Sequence, residues 1–81
     1  MLYLDILTPE SRIFSGEIKL VSLPGTTGSF EILENHAPLI STLESGKIKV
    51  IESGGQTLFF DIRRGVVECL DNRIHLLVTT E

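Results

Sequence analysis

Few side chains in this chain of 81 residues have the chemistry of a catalytic or metal site. It contains two histidines, His36 and His75, and one cysteine, Cys69. A structural zinc site takes about four Cys, His or carboxylate ligands at close spacing, and a chain with one cysteine has no Cys-x-x-Cys pair. We therefore expect no metal site and no cofactor.

The sequence also lacks the arrangements that activate a nucleophile or a general acid. Ser41 and Ser45 lie outside any Gly-x-Ser-x-Gly elbow, and the glycines form neither a Walker A loop nor a dinucleotide fingerprint. Glu31 and Glu34 would point to opposite faces of an extended segment, so they do not form the carboxylate pair of a glycosidase. We expect a protein without enzymatic activity.

His36 has three interpretations. Its ring could hydrogen-bond nearby backbone and order the turn Asn-His-Ala-Pro, or it could contact a partner loop. A catalytic base is the least favoured, because no nucleophile or orienting acid is spaced to work with it. For His75 we expect a solvent-facing strand residue, and for Cys69 a small apolar side chain in the core.

Composition narrows the class of partner and the compartment. The net charge is −4 and the seven basic residues are scattered, whereas nucleic-acid binding needs clustered Lys and Arg. One cysteine allows no intrachain disulfide, which fits a reducing compartment. No apolar run approaches the ~20 residues of a membrane span, and the first residues lack the basic start of a signal peptide. We expect a protein that is soluble and cytoplasmic, or one attached to a membrane only through partners.

Apolar and polar residues alternate along almost the whole chain. This pattern and the turn signals predict an all-β fold for residues 1–81, a flattened antiparallel β-sandwich or barrel of about eight to ten short strands. Ser15-Gly16 inside a long extended stretch suggests a bulge or a bend there, followed by Ile18 and Leu20 on the inward face. The predicted strands cover residues 2–7, 12–23, 29–33, 37–44, 47–52, 57–62, 66–70 and 72–79.

Several strands carry apolar residues on their second face as well, although a two-layer sandwich needs only one apolar face per sheet. Either loops cover these residues, or they form a docking surface for a partner. They are Tyr3, Leu7, Val21, Leu23, Ile51, Phe59 and Leu77.

A series of short motifs in a fixed order covers essentially the whole chain. The sequence resembles the N-terminal domain of the epsilon subunit of F-type ATP synthases, which is equivalent to the mitochondrial delta subunit. The motifs are Leu4-Asp5-Ile6-Leu7-Thr8-Pro9-Glu10, Phe14-Ser15-Gly16-Glu17, Leu23-Pro24-Gly25, Gly28-Ser29-Phe30-Glu31-Ile32-Leu33, His36-Ala37-Pro38-Leu39 and Gly65-Val66-Val67-Glu68-Cys69.

The resemblance implies a β-sandwich of the central stalk that binds the gamma subunit, rests on the ring of c subunits and couples ring rotation to ATP synthesis. It implies that residues 25–36 face the ring, with Ser29 standing where many relatives have an acid. For gamma we expect contacts with Tyr3, Leu7 and Leu77, which lie off the predicted core face. The ring-facing candidates are Gly25, Gly28, Ser29, Phe30, Glu31, Glu34, Asn35 and His36.

The resemblance also implies a location and several absences. We expect the cytoplasmic face of the bacterial plasma membrane, with no nucleic acid bound and no direct membrane insertion. Family members usually continue into two C-terminal helices that can inhibit ATP hydrolysis and in some relatives bind ATP; this sequence ends at Glu81, so we expect neither property. A different class remains open at this point: a free-standing β-sandwich recognition module for a peptide or small ligand.

Overall fold

The alternating sequence folds into strands throughout. The computed structural model describes residues 1–80, with Glu81 outside the described part. No helix occurs among these residues, so none could cross a membrane. The eight strands are β1 (Leu2–Leu7), β2 (Arg12–Gly25), β3 (Gly28–Leu33), β4 (Leu39–Leu43), β5 (Gly46–Glu52), β6 (Thr57–Ile62), β7 (Arg64–Leu70) and β8 (Arg73–Thr79).

The strands form one sheet that closes on itself. Neighbours follow the order β1, β8, β7, β4, β2, β5 and β6, with β3 paired to β2 and β1 also paired to β2. The predicted all-β sandwich is confirmed. One pairing, between β1 and β8, is parallel while the other pairings are antiparallel. Alternation reveals which residues face inward but not the direction of a neighbouring strand, so this pairing could not be read from the sequence.

Strand β2 belongs to both layers of the sandwich. Its first part pairs with β1, and its last part pairs with β3 and β5. The bulge predicted at Ser15-Gly16 is wrong, because both residues keep regular partners in β1. The register instead shifts between Ile6 and Leu7 of β1, and again between Ile18 and Leu20 of β2.

The second shift changes which residues of β2 face inward. Val21 and Leu23 are buried, whereas Leu20 is only half buried. The predictions that Leu20 faces the core and that Val21 and Leu23 are surplus were therefore wrong. An extra residue in one strand moves every later side chain to the other face.

The core is wholly apolar in the described part of the chain, with no buried polar or charged residue. Burying one such side chain contributes about 1.5–3 kcal/mol. The rings of Phe14 and Phe60 pack edge to face beside this core, with their centroids 6.0 Å apart. The core residues are Leu2, Leu4, Ile6, Ile18, Val21, Leu23, Ile32, Leu43, Ile48, Val50, Ile62, Val67, Cys69, Ile74, Leu76 and Val78.

The connections between strands lie at two opposite ends of the sandwich. We call them the Asn72 end and the Thr26 end; β1 and β8 both run from the first to the second. The Asn72 end holds Met1 and the connections at residues 34–38, 53–56 and 71–72. The Thr26 end holds those at residues 8–11, 26–27, 44–45 and 63.

Candidate docking surfaces

The structure divides the residues predicted to face the ring between the two ends. Gly25 and Gly28 lie at the Thr26 end, whereas Glu34, Asn35 and His36 form a turn at the Asn72 end. Strand β3 separates them, and its six residues span about 20 Å. Residues 25–36 are therefore a hairpin turn, a strand and a second turn, and they do not form one surface loop.

The hairpin turn at the Thr26 end is fastened to β4. The N–H of Thr26 donates to the carbonyl of Thr42 at 3.2 Å, and the two threonine hydroxyls are 3.0 Å apart. Gly28 has a φ of 134°, which a residue with a side chain rarely adopts. Glycine is therefore required where the hairpin enters β3.

Strand β3 exposes only part of the predicted set. Ser29 and Glu31 are exposed. Phe30 points the other way and packs against the core, so its side chain is partly buried. The alternation of the strand, already visible in Ser-Phe-Glu-Ile, accounts for this difference from its neighbours.

The turn at the Asn72 end is held by local contacts. The Glu34 carboxylate lies 3.0 Å from the N-terminal amine, and Asn35 has a φ of 68°. His36 places Nδ1 2.7 Å from the carbonyl of Ala37, and its backbone N–H donates to the carbonyl of Leu33 at 3.2 Å. These contacts confirm the interpretation of His36 as an ordered turn residue.

The three residues predicted to face gamma lie on the same face of the sandwich. They lie on the outer side of the layer formed by β4, β7, β8 and β1, which we call the β8 face. Leu7 is paired with Leu77 and Tyr3 with Arg73 across β1 and β8. Leu77 is 58% exposed, while Tyr3 and Leu7 are half buried.

An apolar groove of about 510 Å³ occupies the β8 face at the Thr26 end. Leu7, Leu77 and Val66 follow one another across three adjacent strands and line it. Pro9 and Arg64 also line it. Two of the three predicted residues, Leu7 and Leu77, thus belong to a larger apolar surface, whereas Tyr3 does not line the groove.

A polar row crosses the middle of the same face. Asp5 lies between Arg12 and His75, at 3.8 Å from the nearest nitrogen of each, and its side chain is only 13% exposed. His75 is exposed, as predicted, and pairs across strands with Glu68. A row of polar side chains therefore separates the groove from the part of the face at the Asn72 end.

Three exposed apolar residues of the β8 face were missed by sequence reasoning. Ile40 is 76% exposed, Leu70 52% and Val66 42%. A signal was present, because Val67 and Cys69 alternate into the core and so place Val66 and Leu70 on the outer side of β7. Applied to β4, the same rule places Leu39 and Ser41 on the inner side of the sheet and Ile40 on its outer side.

The structure groups no three metal-ligating side chains within residues 1–80. The buried Cys69 packs in the core, as predicted, and burial raises the pKa of its thiol. The thiol is therefore in its neutral form at physiological pH.

Comparison with known proteins gives consistent results. Residues 1–80 match the family model described as ATP synthase, Delta/Epsilon chain, beta-sandwich domain. The chain is 42% identical over 67 residues to the ATP synthase epsilon chain of Caulobacter vibrioides, covering 83% of this chain and 77% of that one.

Two solved structures share the fold at low sequence identity. One is from the Euglena gracilis mitochondrial ATP synthase, containing OSCP, F1 and c-ring (TM-score 0.89, 20% identity, 99% of this chain). The other is from the central stalk and c-ring of the Tetrahymena thermophila mitochondrial enzyme (TM-score 0.78, 19% identity, 96% of this chain). The chain spans 51% and 63% of those two chains.

Proposed function

Because the chain belongs to the β-sandwich family of ATP synthase delta and epsilon chains, we propose that it is a non-catalytic subunit of the central stalk. In this role it links a gamma subunit to the c-ring and couples proton-driven rotation to ATP synthesis. The relatives do not favour the alternative of a free-standing recognition module. ATP synthase is a membrane-associated complex, and we place this chain on the cytoplasmic face of a bacterial plasma membrane.

The observation that carries the proposal is the apolar β8 face. Soluble monomers rarely expose large contiguous apolar patches, and such patches mark sites of association. Here Leu7, Leu77 and Val66 adjoin one another, and Ile40 and Leu70 extend the face toward the other end. We assign this face to gamma.

The ring is assigned to the hairpin turn and the exposed side of β3. The Glu31 carboxylate is exposed and makes no ion pair among residues 1–80, so it is free to meet a basic loop. Glu34 is already engaged by the N-terminal amine. A charge contact of this kind sets orientation more than affinity.

Two substitutions at equal exposure test the assignment to gamma. Leu77 and Phe59 are both 58% exposed on strands, but Phe59 lies on β6, outside the β8 face. We expect Leu77→Asp to weaken binding to a purified gamma and c-ring assembly at least about tenfold, because a carboxylate must be desolvated in an apolar contact. Phe59→Asp should bind as the unsubstituted chain does.

Binding is measured by titration, and folding of each variant by circular dichroism. Unchanged affinity of a folded Leu77→Asp chain would remove the β8 face from the interface. Equal losses in both variants would show that the effect comes from charge or stability and not from this face.

A further inference from the structure

We infer that Asn72 is a positioning residue for docking. It holds the turn of residues 34–36 in the shape that fixes the neighbouring edge of the β8 face, where a stalk partner with an apolar surface packs. The inference rests on the proposed function for the nature of the partner. It concerns a residue outside the candidate sites taken from the sequence.

Positive backbone φ angles cluster around Asn72. The non-glycine residues with positive φ between residues 1 and 80 are Asn35, Asp71 and Asn72, with φ of 68°, 52° and 62°. All three lie at the Asn72 end, in two turns that are far apart in sequence. Asp71 and Asn72 form the two-residue turn between β7 and β8, a geometry that Asp and Asn adopt readily, so the Asn72 side chain is held in a defined position.

Two hydrogen bonds form a clamp between Asn35 and Asn72. The backbone N–H of Asn35 donates to Oδ1 of Asn72 at 2.6 Å, and Nδ2 of Asn72 donates to Oδ1 of Asn35 at 3.2 Å. A backbone N–H can only donate, so the first bond fixes the orientation of the Asn72 amide and with it the second. The carbonyl of Asn72 also accepts from the N–H of Tyr3 at 2.9 Å.

The clamp joins two strand ends that carry exposed apolar side chains. The turn of residues 34–36 leads into β4, where Ile40 is 76% exposed, and Asn72 follows two residues after Leu70, which is 52% exposed. Ile40 and Leu70 line a shared hollow of about 400 Å³ together with Pro38 and Glu68. Fixing both turns therefore fixes the shape of this hollow.

A preformed hollow favours binding because its residues need not be ordered when the partner arrives. The occupant that fits is an apolar side chain of the stalk partner, inserted between Ile40 and Leu70. A second copy of this chain fits less well, because Ile40 lies opposite Glu68 and a symmetric contact brings the two Glu68 carboxylates near each other.

Three variants of the full chain test the inference. Asn72→Gly keeps a backbone suited to positive φ but removes both clamp bonds. Asn72→Asp keeps the acceptor for the Asn35 N–H, and the Asn35 amide can turn to donate to the second carboxylate oxygen, so both bonds can form. Asp71→Gly is the matched control, because it changes the neighbouring residue of the same turn, whose side chain makes no hydrogen bond within residues 1–80.

We expect Asn72→Gly to weaken binding to the purified gamma and c-ring assembly by roughly three- to tenfold, with Asn72→Asp and Asp71→Gly unchanged. Backbone amide exchange at Asn35 should accelerate in Asn72→Gly and not in the other two variants of the isolated chain. The melting temperatures should differ by less than about 8 °C, so every variant is folded at 25 °C.

The outcomes separate this inference from the proposed function. If Leu77→Asp fails to weaken binding, the assignment of the face is wrong. If Leu77→Asp weakens binding while Asn72→Gly binds normally, only the role of Asn72 is overturned. A loss that follows melting temperature across all variants, including Asp71→Gly, would show that Asn72 acts on stability alone.

Discussion

At the scale of single residues, space and charge decide which positions tolerate change. Gly65 pairs with Leu43 on one side and Val78 on the other. A Cβ placed there would lie 2.7 Å from the carbonyl oxygen of Leu77 and 2.8 Å from a methyl of Val78. The resemblance to a known family pointed to Gly65 as part of a motif, but only the packing of β7 against β8 explains why the residue is glycine.

Gly65→Ala should lower stability by about 1–3 kcal/mol, because the new methyl forces two paired strands apart. Gly54→Ala is the control, since a Cβ at Gly54 meets no atom within 4 Å. Thermal unfolding followed by circular dichroism measures both. Equal melting temperatures would show that β7 and β8 separate without cost.

The buried thiol predicts an alkaline loss of stability. Burial raises the pKa of Cys69 in the folded chain, so the unfolded chain loses this proton first as pH rises. The contribution is complete below the pKa of the unfolded thiol and declines above it, toward the folded pKa, by at most about 1.4 kcal/mol per pH unit.

Cys69→Ala serves as the reference for this titration, because it lacks the thiol and keeps the other titrating groups. The difference in unfolding free energy between the two chains, measured by urea denaturation from pH 7 to about pH 10, should shift in favour of Cys69→Ala as pH rises. A difference that stays constant would contradict the prediction.

At the scale of the strand, β2 shows where sequence reasoning succeeds and where it stops. Its extended character, like that of the other seven strands, follows from alternation and turn residues. The position of its bulge does not, because the extra residue is defined by the register with β5, a contact between distant parts of the chain. The same limit applies to the candidate site. The alternation of side chains predicted Tyr3, Leu7 and Leu77 on the outer face, but it could not reveal Asn72, which is hydrogen-bonded to a residue 37 positions away in the sequence.

Two alanine substitutions distinguish the inward face of β2 from its outward face after the bulge. Val21→Ala should cost about 2 kcal/mol, because its side chain is fully buried, whereas Leu20→Ala should cost less than about 1 kcal/mol although it removes more carbon atoms. Chemical denaturation of the two variants gives both values. The reverse order would restore the inward assignment of Leu20 made from the sequence.

At the scale of the whole molecule, the two ends and the β8 face define how the sandwich is oriented in the stalk. With gamma on the β8 face, the hairpin at the Thr26 end and the Glu34 turn at the Asn72 end point in opposite directions, so only one of them can meet the ring. The sequence predicted a strand at residues 29–33, but the resemblance assigned residues 25–36 as a whole to the ring without regard to the length of that strand.

Separate charge reversals distinguish the exposed side of β3 from the Glu34 turn as the surface that meets the ring. Glu31→Lys in the assembled enzyme should weaken coupling between proton flow and ATP synthesis, by no more than about fivefold for one rim contact. Glu34→Lys should leave coupling unchanged. The measurement is ATP synthesis at a fixed proton gradient, with assembly checked by subunit content. Loss of coupling in Glu34→Lys alone would place the Asn72 end at the ring.

The parallel pairing of β1 with β8 affects how the protein folds while it is being synthesised on the ribosome. Residues 2–7 leave the ribosome long before residues 73–79, so β1 waits for its second neighbour, β8, until most of the sandwich has been made. Until then β1 can pair only with β2, and β7 lacks the neighbour that covers its other edge. Unpaired edges invite strands from other chains, so the nascent subunit is most prone to aggregate during the few seconds before β8 emerges. We therefore expect the yield of folded chain to fall when translation of the codons for residues 64–79 is slowed, and to recover when a chaperone covers the open strand edges.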